Sequence, residues 1–151
     1  MTQTKMAKRR QRAFTFLELL IVMEIIMVLA GMAIPYIRTA NKAANEQSAV
    51  SAMRTLSSAQ ELYRPRQSPQ KYAPDLAALQ AAGLIDSNLG TGAKAGYSFK
   101  AVGLSTTSEY AFTAAPNVPG SSGDRWFFVD ESGVIRMSET DVVNETSDPL
   151  E

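Results

Sequence analysis

Hydrophobic and polar positions follow three different rules along this chain. From Phe14 to Ile37 nearly every position is apolar, and no lysine or arginine intervenes. At about 1.5 Å per residue such a run extends roughly 36 Å as a helix, more than the ~30 Å hydrocarbon core of a bilayer. From Arg38 to about Arg64 the apolar residues thin to a stripe. Ala49, Ala52, Met53, Leu56, Ala59 and Tyr63 recur at three- and four-residue spacing, with Arg54, Gln60 and Glu61 on the polar side between them. That spacing predicts a half-buried helix outside a membrane, stopped by Pro65 and Pro69. After Gly96 the period falls to two. Tyr97, Phe99 and Ala101 alternate with Ser98 and Lys100, and Tyr110, Phe112 and Ala114 alternate with Ala111 and Thr113, which predicts a hairpin joined through Gly103 to Ser108. A second pair of strands, Arg125 to Val129 and Val134 to Met137, flanks the turn sequence Asp130-Glu131-Ser132-Gly133. With Trp126 and Phe128 on one side and Phe127 and Val129 on the other, this strand is expected to be partly covered on both faces.

Between helix and sheet, Arg64 to Pro74 reads as a loop with three prolines. Asp75 to Ala82 predicts a short helix, with Asp75 as N-cap and Gly83 ending it. Leu76, Leu79, Leu84 and Ile85 fasten it to the domain, and the glycine-rich stretch Leu89 to Gly96 leads into the sheet. The expected fold is α+β: a long kinked N-terminal helix, apolar in its first half and amphipathic in its second, packed on a four-stranded antiparallel sheet. The kink is placed at Gly31 and Pro35, because proline removes a backbone donor and crowds the carbonyl four residues back, here that of a glycine.

Two carboxylates interrupt the apolar run. An acid at bilayer depth costs at least ~2.5 kcal/mol, so Glu18 and Glu24 each call for a partner or a function. With no base between Phe14 and Ile37, an ionised Glu18 must find its counter-charge at a chain terminus, on another subunit, or not at all, the last leaving a protonated, inert glutamate. Six residues at ~100° each put Glu24 about 240° around the helix from Glu18, so the two do not form one site. For Glu24 a second contact between subunits and a neutral acid tolerated in a packed core both stay open.

Charge orients the chain. Met1 to Ala13 carries Lys5, Lys8, Arg9, Arg10 and Arg12 and no acid, which keeps that end in the cytoplasm. A cleaved secretory signal has a shorter apolar core of ~7–15 residues and a small-residue cut site beyond it. The 151 residues carry no net charge and contain neither cysteine nor histidine. That length suits one small globular domain besides the helix. The sheet must be stabilised without disulfides, and zinc sites of the usual kind and imidazole-based catalysis are excluded.

The segment Arg12-Ala13-Phe14-Thr15-Phe16-Leu17-Glu18, followed by an apolar helix with Pro35 near its end, resembles the prepilin signature of type IV pilins and pseudopilins. The resemblance implies cleavage by a prepilin peptidase between Ala13 and Phe14 and methylation of the new amine on Phe14. Glu18 becomes the fifth mature residue and Pro35 the twenty-second, the positions these residues hold in that family. It further implies a contact between Glu18 and the Phe14 amine that fixes subunits in register, and local unwinding between Gly31 and Pro35 on assembly. Alanine replaces the usual glycine before the cut, and Glu24 lies outside the family pattern. Residues 1–13 would then be a cleaved leader, 14–37 the transmembrane and filament-core helix, and 38–151 the head, including the amphipathic helix to about residue 64. Removing the leader leaves 10 basic against 15 acidic residues.

Other chemistry finds little support. Gly90-Thr91-Gly92-Ala93-Lys94 lacks the spacing of a phosphate loop and reads as a flexible turn. Asp130, Glu131, Glu139 and Asp141 are candidate calcium ligands without EF-hand spacing, against a solvated acidic tail. Asn144-Glu145-Thr146 fits a glycosylation acceptor, and Ser105 to Ser108, Ser121 and Ser122 are candidate glycan carriers. Phe14, Phe16, Tyr36 and Tyr63 along the helix read as packing residues, and without an adjoining basic groove they are no argument for nucleic acid.

The expected function is therefore structural, with no enzyme activity, cofactor or metal: an inner-membrane precursor polymerised through its N-terminal helix into a cell-surface pilus. The partners the resemblance implies are further copies of the chain, the prepilin peptidase, an assembly ATPase and an inner-membrane platform protein. A pseudopilin forming a periplasmic fibre of a type II secretion system is the alternative. A membrane-anchored periplasmic enzyme or binding module, which would not need Glu18, is a third reading.

Overall fold

A computed structural model describes residues 14–103 and 107–150. The chain divides into two compact units, one ending at Ile37 and one beginning at Arg38. The first helix, α1 (Phe16–Tyr63), supplies all the regular structure among the described residues of the first unit and the opening of the second.

In the first unit every described side chain from Phe14 to Ile37 is exposed. An 18-residue window of α1 has a mean hydropathy of 2.4 with none of it buried, so this helix is long and apolar enough to cross a membrane. Helical backbone continues through Gly31 and Pro35. The unwinding that the resemblance implies for this stretch belongs to the assembled filament; in the single chain the stretch is helical. Pro35 removes one backbone donor from the helix, and the residue four positions before it, Gly31, carries no side chain.

In the second unit, α1 buries Ala49, Val50, Ala52, Met53, Leu56 and Ala59 in one cluster with Tyr97, Phe99, Phe112, Phe127 and Val129 of the sheet. Tyr63 packs at its margin. The stripe read from the sequence is thus the buried face, with one correction. Gln60 is fully buried; its Nε2 donates to the carbonyl of Ala73 at 3.1 Å and its Oε1 accepts from the amide of the same residue at 2.7 Å. A side chain that satisfies both its polar ends can replace a backbone partner inside a core.

Among the described residues the sheet has six strands, not four: β1 (Ala93–Lys94), β2 (Tyr97–Ala101), β3 (Ala111–Pro116), β4 (Trp126–Asp130), β5 (Ile135–Ser138) and β6 (Asp148–Pro149). They run in sequence order, and each neighbouring pair is antiparallel. The central four correspond to the strands expected from the period of two. Tyr97 pairs with Pro116, Phe112 with Val129 and Phe127 with Met137. The two additional strands have two residues each, too few to show alternation. They lie at the edges, where short strands and Pro149 limit pairing with further chains. In β4, Phe127, Phe128, Val129 and Asp130 are all buried, so both faces are covered.

The connections follow local chemistry. α1 ends in a 3-10 turn, Arg64–Arg66, with Pro65 inside it. Asp75 caps α2 (Leu76–Ala81) by accepting from the amide of Ala78 at 2.7 Å. At its other end Gly83 has φ +70°, and the amides of Gly83 and Leu84 bond back to Gln80 and Leu79, a Schellman ending that only a residue tolerant of positive φ closes cheaply. A further short helix, α3 (Ser87–Gly90), is not among the expected elements; Asp86 caps it through the amide of Leu89 at 2.9 Å.

Candidate functional site

The start of α1 is set by Thr15. Its Oγ1 accepts from the amide of Glu18 at 3.2 Å, and its carbonyl accepts from the amide of Leu19 at 3.3 Å. Thr15 is therefore the N-cap and Glu18 the third helical residue, the Thr-x-x-Glu spacing of a capping box. An acid in this first turn lies at the positive end of the helix dipole. Phe14 immediately precedes the cap, so its backbone nitrogen and Glu18 lie at the same helix end, about one turn apart. A cut before Phe14 would turn that nitrogen into an amine. Ala13, on the other side of the expected cut, lies outside the described residues.

The signal for this cap is Thr15 followed three residues later by Glu18. Hydropathy masks it, because both residues stand at the head of an apolar run long enough to span a membrane.

Glu24 lies in the middle of the apolar surface. On one side it is flanked by Ile21, Ile25 and Val28, on the other by Leu20, Met23 and Met27. Phe14 and Phe16 are 83% and 80% exposed and Tyr36 78%. These aromatics, expected as packing residues, enter no core in the single chain; they are open to lipid or to another subunit. A helix that is apolar all round needs one or the other.

Several of the remaining candidates take part in local structure. Lys94 pairs with Asp86 at 3.2 Å, and Asp86 also accepts from Leu89. These two contacts, the backbone one first, hold the Asp86 carboxyl below its ordinary range. The lysine of the glycine-rich stretch thus faces a carboxylate, which a phosphate-binding lysine would not. Among the described residues no group of three or more carboxylates has the arrangement of a metal site. The carboxylate of Asp130 accepts from the amide of Ser132 at 3.0 Å and from its hydroxyl, closing the β4–β5 turn. Asn144 Oδ1 accepts from the amide and hydroxyl of Thr146, and Ser122 Oγ bridges the amide and carbonyl of Val118. Ser105 lies outside the described residues.

The second unit holds a polar clasp that sequence spacing does not signal. Glu46, 7% exposed, accepts from the amide of Asp124 at 2.8 Å and from Arg125 Nε at 2.7 Å, with Arg125 Nη2 at 2.6 Å. Lys42 pairs with Asp124 at 2.6 Å, and Asn45 Nδ2 donates to the carbonyl of Ser122 at 3.0 Å. One face of α1 thereby fixes the 122–125 segment as it enters β4. Tyr97 donates to the carbonyl of Arg125 at 2.9 Å from the sheet side.

Comparison with known families bears on the N-terminal segment. Residues 8–34 match the family model of the prokaryotic N-terminal methylation motif, the signature of type IV pilins and pseudopilins. The chain thus carries the motif of type IV pilin-like, prepilin-processed proteins at the head of its apolar helix. No curated protein and no solved structure gives a significant match.

Proposed function

We propose that the chain is a prepilin, cut between Ala13 and Phe14, methylated on the new amine and polymerised through α1 into a pilus. The observation that carries this reading is the methylation motif at residues 8–34 on a helix whose described side chains are all exposed as far as Ile37. Before assembly, lipid covers the apolar surface; in the filament, other copies cover it, and the domain beginning at Arg38 forms the exterior.

Glu18 is the residue on which assembly turns. Its position one turn from Phe14 lets its carboxylate pair with the Phe14 amine of its own or a neighbouring copy, removing two unpaired charges from an apolar core. The motif points to a structural role, with no catalytic turnover. The partners are the prepilin peptidase, an assembly ATPase and an inner-membrane platform protein.

Glu18→Ala tests this. Membrane insertion should be retained, while sheared filament yield should fall by about a hundredfold or more, since removing one partner of a buried pair costs about 3–5 kcal/mol. Filaments at the unaltered yield would contradict the mechanism. Microscopy of the same cells separates a surface pilus from the short periplasmic fibre of a pseudopilin.

A further inference from the structure

The Phe14 amine answers Glu18 and leaves Glu24 without a partner. We propose that two parallel copies of the membrane precursor pair through Glu24, each carboxyl group hydrogen-bonded to the other, so that the chain is held as a dimer in the bilayer before assembly. The inference rests on the membrane stage of the filament reading and uses α1 only from its start to Val28.

Depth is the first argument. Glu24 stands ten residues beyond Phe14, about 15 Å along the helix and so near the middle of a ~30 Å hydrocarbon core. Glu18 is only about 6 Å in, at the positive end of the helix. An unpaired charge costs most at the deeper position, and even a neutral carboxyl group there has lost its hydrogen bonds to water.

Its own helix cannot replace them. From Leu19 to Ile34 no other side chain carries a nitrogen or oxygen atom. The side chains around Glu24 are Leu20, Ile21, Met23, Ile25, Met27 and Val28, all exposed.

A second copy supplies what is missing. The basic leader keeps that end of every copy on the cytoplasmic side, so copies run parallel and hold Glu24 at one depth. No copy offers a base at that depth. A neutral carboxyl group contains one donor and one acceptor, so two that face each other form reciprocal O–H to carbonyl bonds, a self-complementary contact with twofold symmetry. At ~100° per residue Leu17, Leu20 and Val28 lie within about 40° of Glu24 and extend the contact as an apolar seam. A helical filament displaces each copy along its axis, so the level pair belongs to the precursor and is given up on assembly.

Because the chain contains no cysteine, one introduced thiol reports which face meets its copy. The full-length chain is expressed in a bacterial host without a prepilin peptidase, and inner-membrane vesicles are oxidised with copper phenanthroline. V28C, about 40° from Glu24, should give a product of twice the subunit mass; I26C, about 160° from it, should not. E24L/V28C should resist carbonate extraction and yet link about threefold to thirtyfold less, as loss of a hydrogen bond between helices in lipid implies. E24Q/V28C keeps a donor and an acceptor and should link nearly as well as V28C. Equal linkage of V28C and I26C, undiminished linkage in E24L/V28C, or its loss in E24Q/V28C overturns the pair, as does linkage of V28C only to a different membrane protein. If one of these results accompanies a loss of filaments in E18A, the pair fails and the filament reading stands; an unaltered chain that carbonate extracts from the membrane overturns both.

Discussion

Replacing Glu46 with alanine tests how the outer domain is held together. Its carboxylate, 7% exposed, accepts from the Asp124 amide at 2.8 Å and from Arg125 at 2.7 and 2.6 Å. Breaking a buried ion pair by removing one partner costs about 3–5 kcal/mol, and each hydrogen bond to a charged group contributes about 1.5–3. The Arg125 side chain is 38% exposed, so its guanidinium recovers water when the acid is gone. The amide of Asp124 loses its acceptor. Together these bring the expected loss to about 2–3 kcal/mol. Lys42→Ala is the control: its pair with Asp124 is partly exposed, 24% on the lysine side and 54% on the aspartate side, and should contribute at most ~1 kcal/mol. Urea unfolding of the fragment beginning at Arg38, followed by circular dichroism, measures both variants. A double-mutant cycle with Arg125→Ala isolates the pair itself, with a coupling of about 1–2 kcal/mol. A Glu46→Ala loss below ~0.5 kcal/mol, or one no larger than that of Lys42→Ala, would refute the clasp as a stabilising element.

Two further outcomes follow from the same domain. Gly123→Ala should destabilise it by about 1–3 kcal/mol, because the new Cβ would lie 2.0 Å from the hydroxyl of Tyr97, a fully buried ring that cannot move aside; a thermal midpoint unchanged from the parent fragment would contradict this. Alkaline pH should unfold the fragment through its buried phenols. Burial pushes Tyr97 and Tyr110 up to about 12, with the Glu46 carboxylate adding to the shift at Tyr97. Free tyrosine ionises near 10, so between about pH 10 and 12 the unfolded chain has released protons that the folded chain retains. Stability is therefore intact below pH 10 and falls as pH rises through that window. Tyrosinate absorbance and circular dichroism recorded on the same samples check it; complete ionisation near pH 10 with the fold intact would be the contrary result.

What is legible in the sequence depends on the length of the signal. Met53, Leu56 and Ala59 sit in the core because only an amphipathic helix sustains a three- to four-residue rhythm over several turns. Tyr97 to Ala101 has the expected bounds, and α2 is bounded by the Asp75 carboxylate at one end and the positive φ of Gly83 at the other. β1 and β6 escape a reading by period because two residues carry none. Gln60 departs from its expected polar side for a different reason. A polar side chain is buried when a distant backbone group satisfies it, and Ala73 lies thirteen residues away across a proline-rich loop. Glu46 and Arg125, seventy-nine residues apart, are invisible as a pair until the sheet brings them together. At the N-terminus the reverse holds: the methylation motif at residues 8–34 is legible by its spacing, whereas Thr15, whose bond to the Glu18 amide starts the helix, is hidden within the apolar run.

The most direct test of the central claim is intact mass and N-terminal sequencing of the chain recovered from a sheared cell-surface fraction. A chain beginning at N-methylated Phe14 is the result predicted, and it would establish processing across Ala13 together with export into a filament. A chain that still begins at Met1 and is found only in the inner membrane would contradict the account and leave the apolar helix as a passive anchor.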